Sequence, residues 1–201
     1  MGHTARNAAR FALKCSSTFI LFALCGAGSA VISFDHFPEG SFLFPLPFAI
    51  LCAVLFLRRV VIVPLIMVIW YFSYFCALET GIVLPIDIGL LRSAGPCIVG
   101  GLIGGVGLVL CASSCIRWLA SAKYIATGAT VGIFSGLSFL PSVEHFKLNV
   151  NQGFVRTPVL AFAFWEAMMG TYLYTVCTLV IESKGWRFPR RIRSRFRATP
   201  Q

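Results

Sequence analysis

One carboxylate stands apart from the other ionisable groups of this chain. Glu166 lies in Ala161-Phe162-Ala163-Phe164-Trp165-Glu166-Ala167-Met168-Met169-Gly170, deep inside an apolar run over 159–181. Burying a carboxylate in such surroundings costs several kcal/mol unless it is protonated, paired or lined by water. Glu166 is therefore expected to face the interior of a helix bundle, between helices 4, 5 and 6. Two chemistries fit it. One is a proton or cation site, or a counter-charge for a cationic substrate. The other is a protonated glutamic acid that hydrogen-bonds a neighbouring helix. Gly170, one turn further on, would leave room beside it for a ligand or a close-packed helix.

Other clusters are less specific. Asp35, His36 and Glu39 share one polar segment, and Glu144 and His145 share another. Carboxylates and imidazoles meeting there would suit a divalent ion, but the spacing matches no known metal site, and no metal is expected. Cys111 and Cys115 stand four apart on one helix face. The eight cysteines otherwise scatter through apolar sequence without CxxC or zinc-finger spacing, and read as small, reduced core residues with no disulfide framework. No Ser-His-acid set stands at readable spacing and HExxH is absent, so no enzyme and no cofactor is expected.

Glycines form the remaining pattern. Gly128, Gly132 and Gly136 recur every four residues, and Gly100, Gly101, Gly104, Gly105 and Gly107 crowd the preceding helix. Small residues at that spacing let helix backbones approach closely where lipid has removed the hydrophobic drive. Gly100, Gly104, Gly128, Gly132 and Gly136 are thus expected as packing positions, chiefly of helix 4 on helix 5. Dimerisation and a glycine-lined solute path are the alternatives. A phosphate loop is excluded, since no Lys and Ser/Thr follow.

The elements that hold these residues follow from hydropathy. The 201 residues are 58% hydrophobic and 12% charged, with mean hydropathy +0.84. A soluble domain carries about 25% charge. Apolar runs near 20 residues match a hydrocarbon core about 30 Å thick at a rise of about 1.5 Å per residue. The fold class read from this is all-α: a polytopic transmembrane bundle of about six helices, at 15–34, 47–62, 64–78, 96–116, 124–140 and 158–182. Prolines 47, 64, 96 and 158 suit first helical turns, and Thr157 reads as an N-cap. Arg58 and Arg59 are placed in the last turn of helix 2, where they favour the dipole and snorkel to the interface. The segment 79–95, broken by Pro85, Asp87 and Gly89, reads as a connector that is interfacial or re-entrant.

Charge then sets orientation. With the N-terminus inside, fourteen of the seventeen Lys and Arg fall inside, and only Arg92, Lys147 and Arg156 fall outside. Both termini are expected to be cytoplasmic: a basic segment at 1–14 and a basic tail at 183–201 with six arginines. The net charge of +10 therefore points to anionic lipid headgroups rather than nucleic acid. A retained helix 1 is expected over a cleaved signal or transit peptide, although Ala27-Gly28-Ser29-Ala30 offers small residues for cleavage. The place is a bacterial inner membrane.

In size, in helix count and in the small residues Ala23 and Ala27 of helix 1, the chain resembles the substrate-binding subunits of energy-coupling-factor vitamin transporters. That resemblance implies solute binding beside a partner membrane subunit. A three-plus-three inverted repeat would bring helix 1 opposite helix 4 and pair Pro64/Trp70 with Pro158/Trp165. The leading expectation is transport or binding of a small solute near Glu166 and Gly170. The alternative is a non-transporting sensor, scaffold or assembly partner that uses the basic tail, with a homo-oligomer open to both.

Overall fold

In a computed structural model, residues 2–36, 45–57, 59–83, 89–140 and 157–183 are described. These residues are all-helical, without strands, and form six helices. They are α1 (Gly2–His36), α2 (Leu46–Cys52), α3 (Ile62–Val83), α4 (Gly89–Ser113), α5 (Ala122–Gly136) and α6 (Thr157–Ser183). Three are long and apolar enough to cross a membrane, over Arg6–Val31, Ala94–Ser113 and Val159–Leu179.

Several boundaries differ from expectation for local reasons. Of the basic segment at 1–14, residues 2–14 are helical and continuous with the apolar run. Arg6 and Arg10 are exposed on the first turns of α1, where charge is solvated and Ala and Arg favour helix. α2 is shorter than 47–62: its α-helix ends at Cys52 and continues as one π-turn over Ala53–Leu57. Arg59 consequently lies in a connection and not in the last helical turn, and Arg58 falls outside the described residues. Exposed Arg59 and Val60 supply the carbonyls for a reversal, accepting from the Ile62 and Val63 amides at 3.1 and 3.0 Å. Pro64 then enters in the first turn of α3, where its missing N–H is no loss.

The segment 79–95 is mostly helix rather than connector. α3 continues to Val83 and α4 begins at Gly89, leaving 84–88 outside the described residues. Pro96 therefore sits inside α4 instead of opening it. Its ring breaks only the bond that would reach Arg92, while packing on both flanks holds the remaining turns. α4 stops at Ser113, three residues early. A turn with Ser114, Cys115 and Ile116 amides on Cys111 and Ala112 carbonyls leads to a 3-10 turn over Arg117–Ala120. A second 3-10 turn, Leu137–Phe139, extends α5.

α1 and α6, α3 and α4, and α4 and α5 run antiparallel, as the paired positions show. α1 meets α6 with Cys15 at Thr175, Phe22 at Gly170 and Gly26 at Phe162. α4 meets α5 with Gly101 at Gly132 and Gly105 at Gly128, and meets α3 with Gly100 at Ala77 and Gly107 at Ile69. α4 is thus sandwiched between α3 and α5, and α6 joins α1 to α5. α2 touches α1, α3 and α6 and closes the arrangement. Gly2, Arg59, Arg117, Lys123 and Ser183 all lie toward one end of the bundle. Leu13, Leu24, Val68, Phe72, Phe134 and Leu160 are among the large apolar side chains that face outward.

Candidate functional site

Glu166 is completely buried, 0% exposed, in the middle of α6. It faces the bundle interior, and α1 and α2 approach it, with α6 also packed on α5 and touching α4. The thiols of Cys25 (α1) and Cys52 (α2) stand close enough to act on the carboxyl, and Ser29 Oγ lies within reach of the Cys25 thiol. The face arises from spacing. Cys15, Thr18, Phe22, Cys25 and Ser29 alternate by three and four residues, one stripe of a helix, and that stripe of α1 runs along α6.

Aromatic rings wall the site. Phe22 and Phe48 meet edge-on at 5.4 Å, and Phe48 leans on Trp165 at 5.9 Å. Trp70 stacks on Phe162 at 5.8 Å, and Phe162 meets Phe139 at 4.7 Å. These rings offer the carboxyl no strong donor. Among the described residues, neither oxygen of Glu166 has a hydrogen-bond partner. A thiol is a weak donor and does not substitute for one. Ionised, Glu166 would be an uncompensated charge; protonated, it would still leave an O–H to satisfy. Such a group can hold and release a proton, or take a cation if one reaches it.

Gly170 does not provide open space. A Cβ there would run into the Phe22 ring, so the glycine is what lets α1 seat an aromatic one turn from the carboxyl. Of the packing glycines, Gly128, Gly132 and Gly136 do lie against α4, meeting Gly105, Gly101 and Cys97. Gly100 and Gly104 lie on the other side of α4, against Ala77 and Ser73 of α3, with Trp165 also beside Gly104. The register of α4 that meets α5 is Cys97–Gly101–Gly105. Ser73 donates to the Gly100 carbonyl across the α3–α4 contact. On the α5–α6 side, the Tyr172 hydroxyl donates to the Tyr124 carbonyl at 2.7 Å and lies 2.8 Å from the Thr127 hydroxyl.

Asp35 and His36 fall in the last turn of α1, while Glu39, Glu144 and His145 lie outside the described residues, as does the basic tail beyond Ser183. Cys111 is buried and Cys115 half-buried at the end of α4. Among the described residues, no group of three or more His, Cys, Asp or Glu has the geometry to hold a metal. No disulfide joins any of the eight cysteines. Comparison of the chain with protein families, with curated proteins and with solved structures yields no match.

Proposed function

We propose that the chain is a multi-pass protein of a bacterial inner membrane that carries or binds a small solute, with Glu166 as its ion-handling group. Both termini are cytoplasmic on this reading, because the Lys/Arg excess collects at the end of the bundle that holds Gly2 and Ser183. The outward-facing Leu13, Leu24, Val68, Phe72 and Leu160 support lipid as the surrounding solvent, since a soluble monomer rarely exposes so much apolar surface. The carrying observation is Glu166 itself: fully buried, without a hydrogen-bond partner, on a helix long enough to span. An intramembrane acid placed this way is kept at a standing free-energy cost, which a working ion site would explain.

The test uses the full chain in proteoliposomes with an entrapped pH dye. Solute pools are added outside, and a carrier gives a solute-dependent pH change that disappears in Glu166→Gln. A pH response that persists in that variant rejects the assignment. Reporter fusions at the two ends should label the same face. The second reading, a scaffold or sensor, is favoured by Lys184 and the six arginines from Arg187 to Arg197. Truncation after Ser183 separates the two: a carrier keeps its activity if it still inserts, whereas a tail-anchored partner loses its role.

A further inference from the structure

Every buried side-chain oxygen that has no hydrogen-bond partner, among the described residues, belongs to α1 or α6. The groups are Ser29, Glu166 and Thr171. Ser29 is 4% exposed and Glu166 0% exposed. Elsewhere the buried hydroxyls are satisfied: Ser135 donates within its own helix to Val131 at 2.8 Å, and Ser73 donates across to Gly100 of α4. Orphaned polar groups in a packed interior are met by water or by an ion, and a cluster along one seam makes a continuous wet line economical.

The order of groups gives that line a direction. Between the Phe22–Gly170 and Gly26–Phe162 contacts, Cys25 comes level with Glu166, and Ser29 lies one turn further along the same face of α1. This branch leads toward the end of the bundle where α1 finishes. In the other direction Phe22 seats on Gly170 and fills the seam. Beyond it lie Thr171, Thr18, and the Cys15–Thr175 contact at 3.7 Å. Thr171 precedes Thr175 by one turn, so it shares the side that faces α1.

We infer that Ser29 and Cys25 line a hydrated proton path from the end of α1 to Glu166, closed on its far side by Phe22 packed on Gly170. This deepens the reading of Glu166 as an ion-handling group by naming the ion as a proton and naming its entry. The titratable groups around the carboxyl are thiols: Cys25 of α1 and Cys52 of α2, with Cys111 of α4 and Cys177 of α6 acting on Cys52 in turn. Among the described residues, no Lys, Arg, His or second acid acts on Glu166. Release to the opposite end then requires Phe22 to leave Gly170, which makes that ring the barrier of an alternating cycle.

The experiment follows the Glu166 carboxyl directly, with full-length protein in lipid nanodiscs. Its protonated C=O stretch is identified in infrared difference spectra as the band lost in Glu166→Gln, and its shift after mixing into D2O is timed. Ser29→Ala should slow that exchange about tenfold or more, equivalent to about 1.4 kcal/mol on a barrier. Thr171→Val, beyond Phe22, and Ser138→Ala, a satisfied hydroxyl elsewhere, should leave it unchanged. Equal rates in Ser29→Ala and wild type overturn the path, and so does equal slowing by Thr171→Val. Absence of a protonated band, or a band that moves when Na+ replaces K+ at fixed pH, also overturns it. If the exchange behaves as expected but no solute drives a pH change in proteoliposomes, the carrier reading fails and the proton path stands.

Discussion

The two sides of this bundle are held together by different means. On the side of α3, α4 and α5, glycines bring backbones into contact and the serine hydroxyls are satisfied. On the side of α1, α2 and α6, aromatic rings and thiols enclose polar groups that have no partner. In lipid, the solvent of the proposed reading, helices have no hydrophobic drive to associate. The first arrangement maximises close packing. The second tolerates orphaned groups, a persistent cost. On the proposed reading, that difference separates a scaffold half from a working half.

Overpacking should break the scaffold half most severely. At Gly132 a Cβ would lie 2.9 Å from Gly105 Cα and 3.0 Å from Gly105 N, backbone atoms that no rotamer change can move. Gly132→Val should separate α4 from α5 and cost about 3 kcal/mol or more, at the upper end of overpacking effects. Thermal unfolding in detergent reads this out. A midpoint equal to that of wild type would show that the two helices do not meet at this register. Gly26→Ala, which places its methyl 2.7 Å from the Phe162 carbonyl oxygen, applies the same logic to the α1–α6 contact. A milder loss of about 1–3 kcal/mol is expected there.

The working half should respond with the opposite sign. Glu166→Met removes the orphaned carboxyl and keeps comparable volume, so it should raise stability by about 1–3 kcal/mol, the desolvation penalty relieved. Activity should be lost with it. Such a trade between stability and function is expected where a strained or unsatisfied group does the work. A Glu166→Met protein less stable than wild type would mean that the carboxyl is held by a strong partner, and the site reading would fall. Tyr172→Phe is the smaller counterpart. It deletes the hydroxyl that donates to the Tyr124 carbonyl and adjoins Thr127, and should cost about 0.6–1.5 kcal/mol.

Helix existence and the burial of Glu166 were legible from hydropathy, because apolar runs and a single interior charge leave few options. The partners of Glu166 were not. Position along a sequence does not say which helices touch: α6 packs on α5 and also runs along α1, whose Phe22 seats on Gly170. The three-four spacing of Cys15, Thr18, Phe22, Cys25 and Ser29 was the available signal. It was obscured by reading cysteines only as small core residues. Proline is an ambiguous signal at the start of α4: Pro96 suits a first helical turn, yet α4 extends back to Gly89 across the bond its ring removes. Gly101 and Gly105 face α5 while Gly100 and Gly104 face α3, a division between two neighbours that spacing alone does not rank.

The smallest expected effect tests the same comparison at its sharpest, because it differs from a disruptive substitution by only two positions. Gly26 and Gly28 belong to the same helix, but no atom lies within 4 Å of a Cβ built at Gly28, which is exposed. With no contact to disturb, only backbone freedom is left to act. Gly28→Ala should therefore stabilise α1 by about 0.5–1 kcal/mol, the usual gain for glycine replaced inside a helix. Gly26→Ala lowers the unfolding midpoint and Gly28→Ala raises it, measured side by side in one detergent. Should both lower it, α1 would be meeting a second surface at Gly28, from another copy of the chain or a partner helix. The exposed face of α1 would then be an interface rather than a lipid contact.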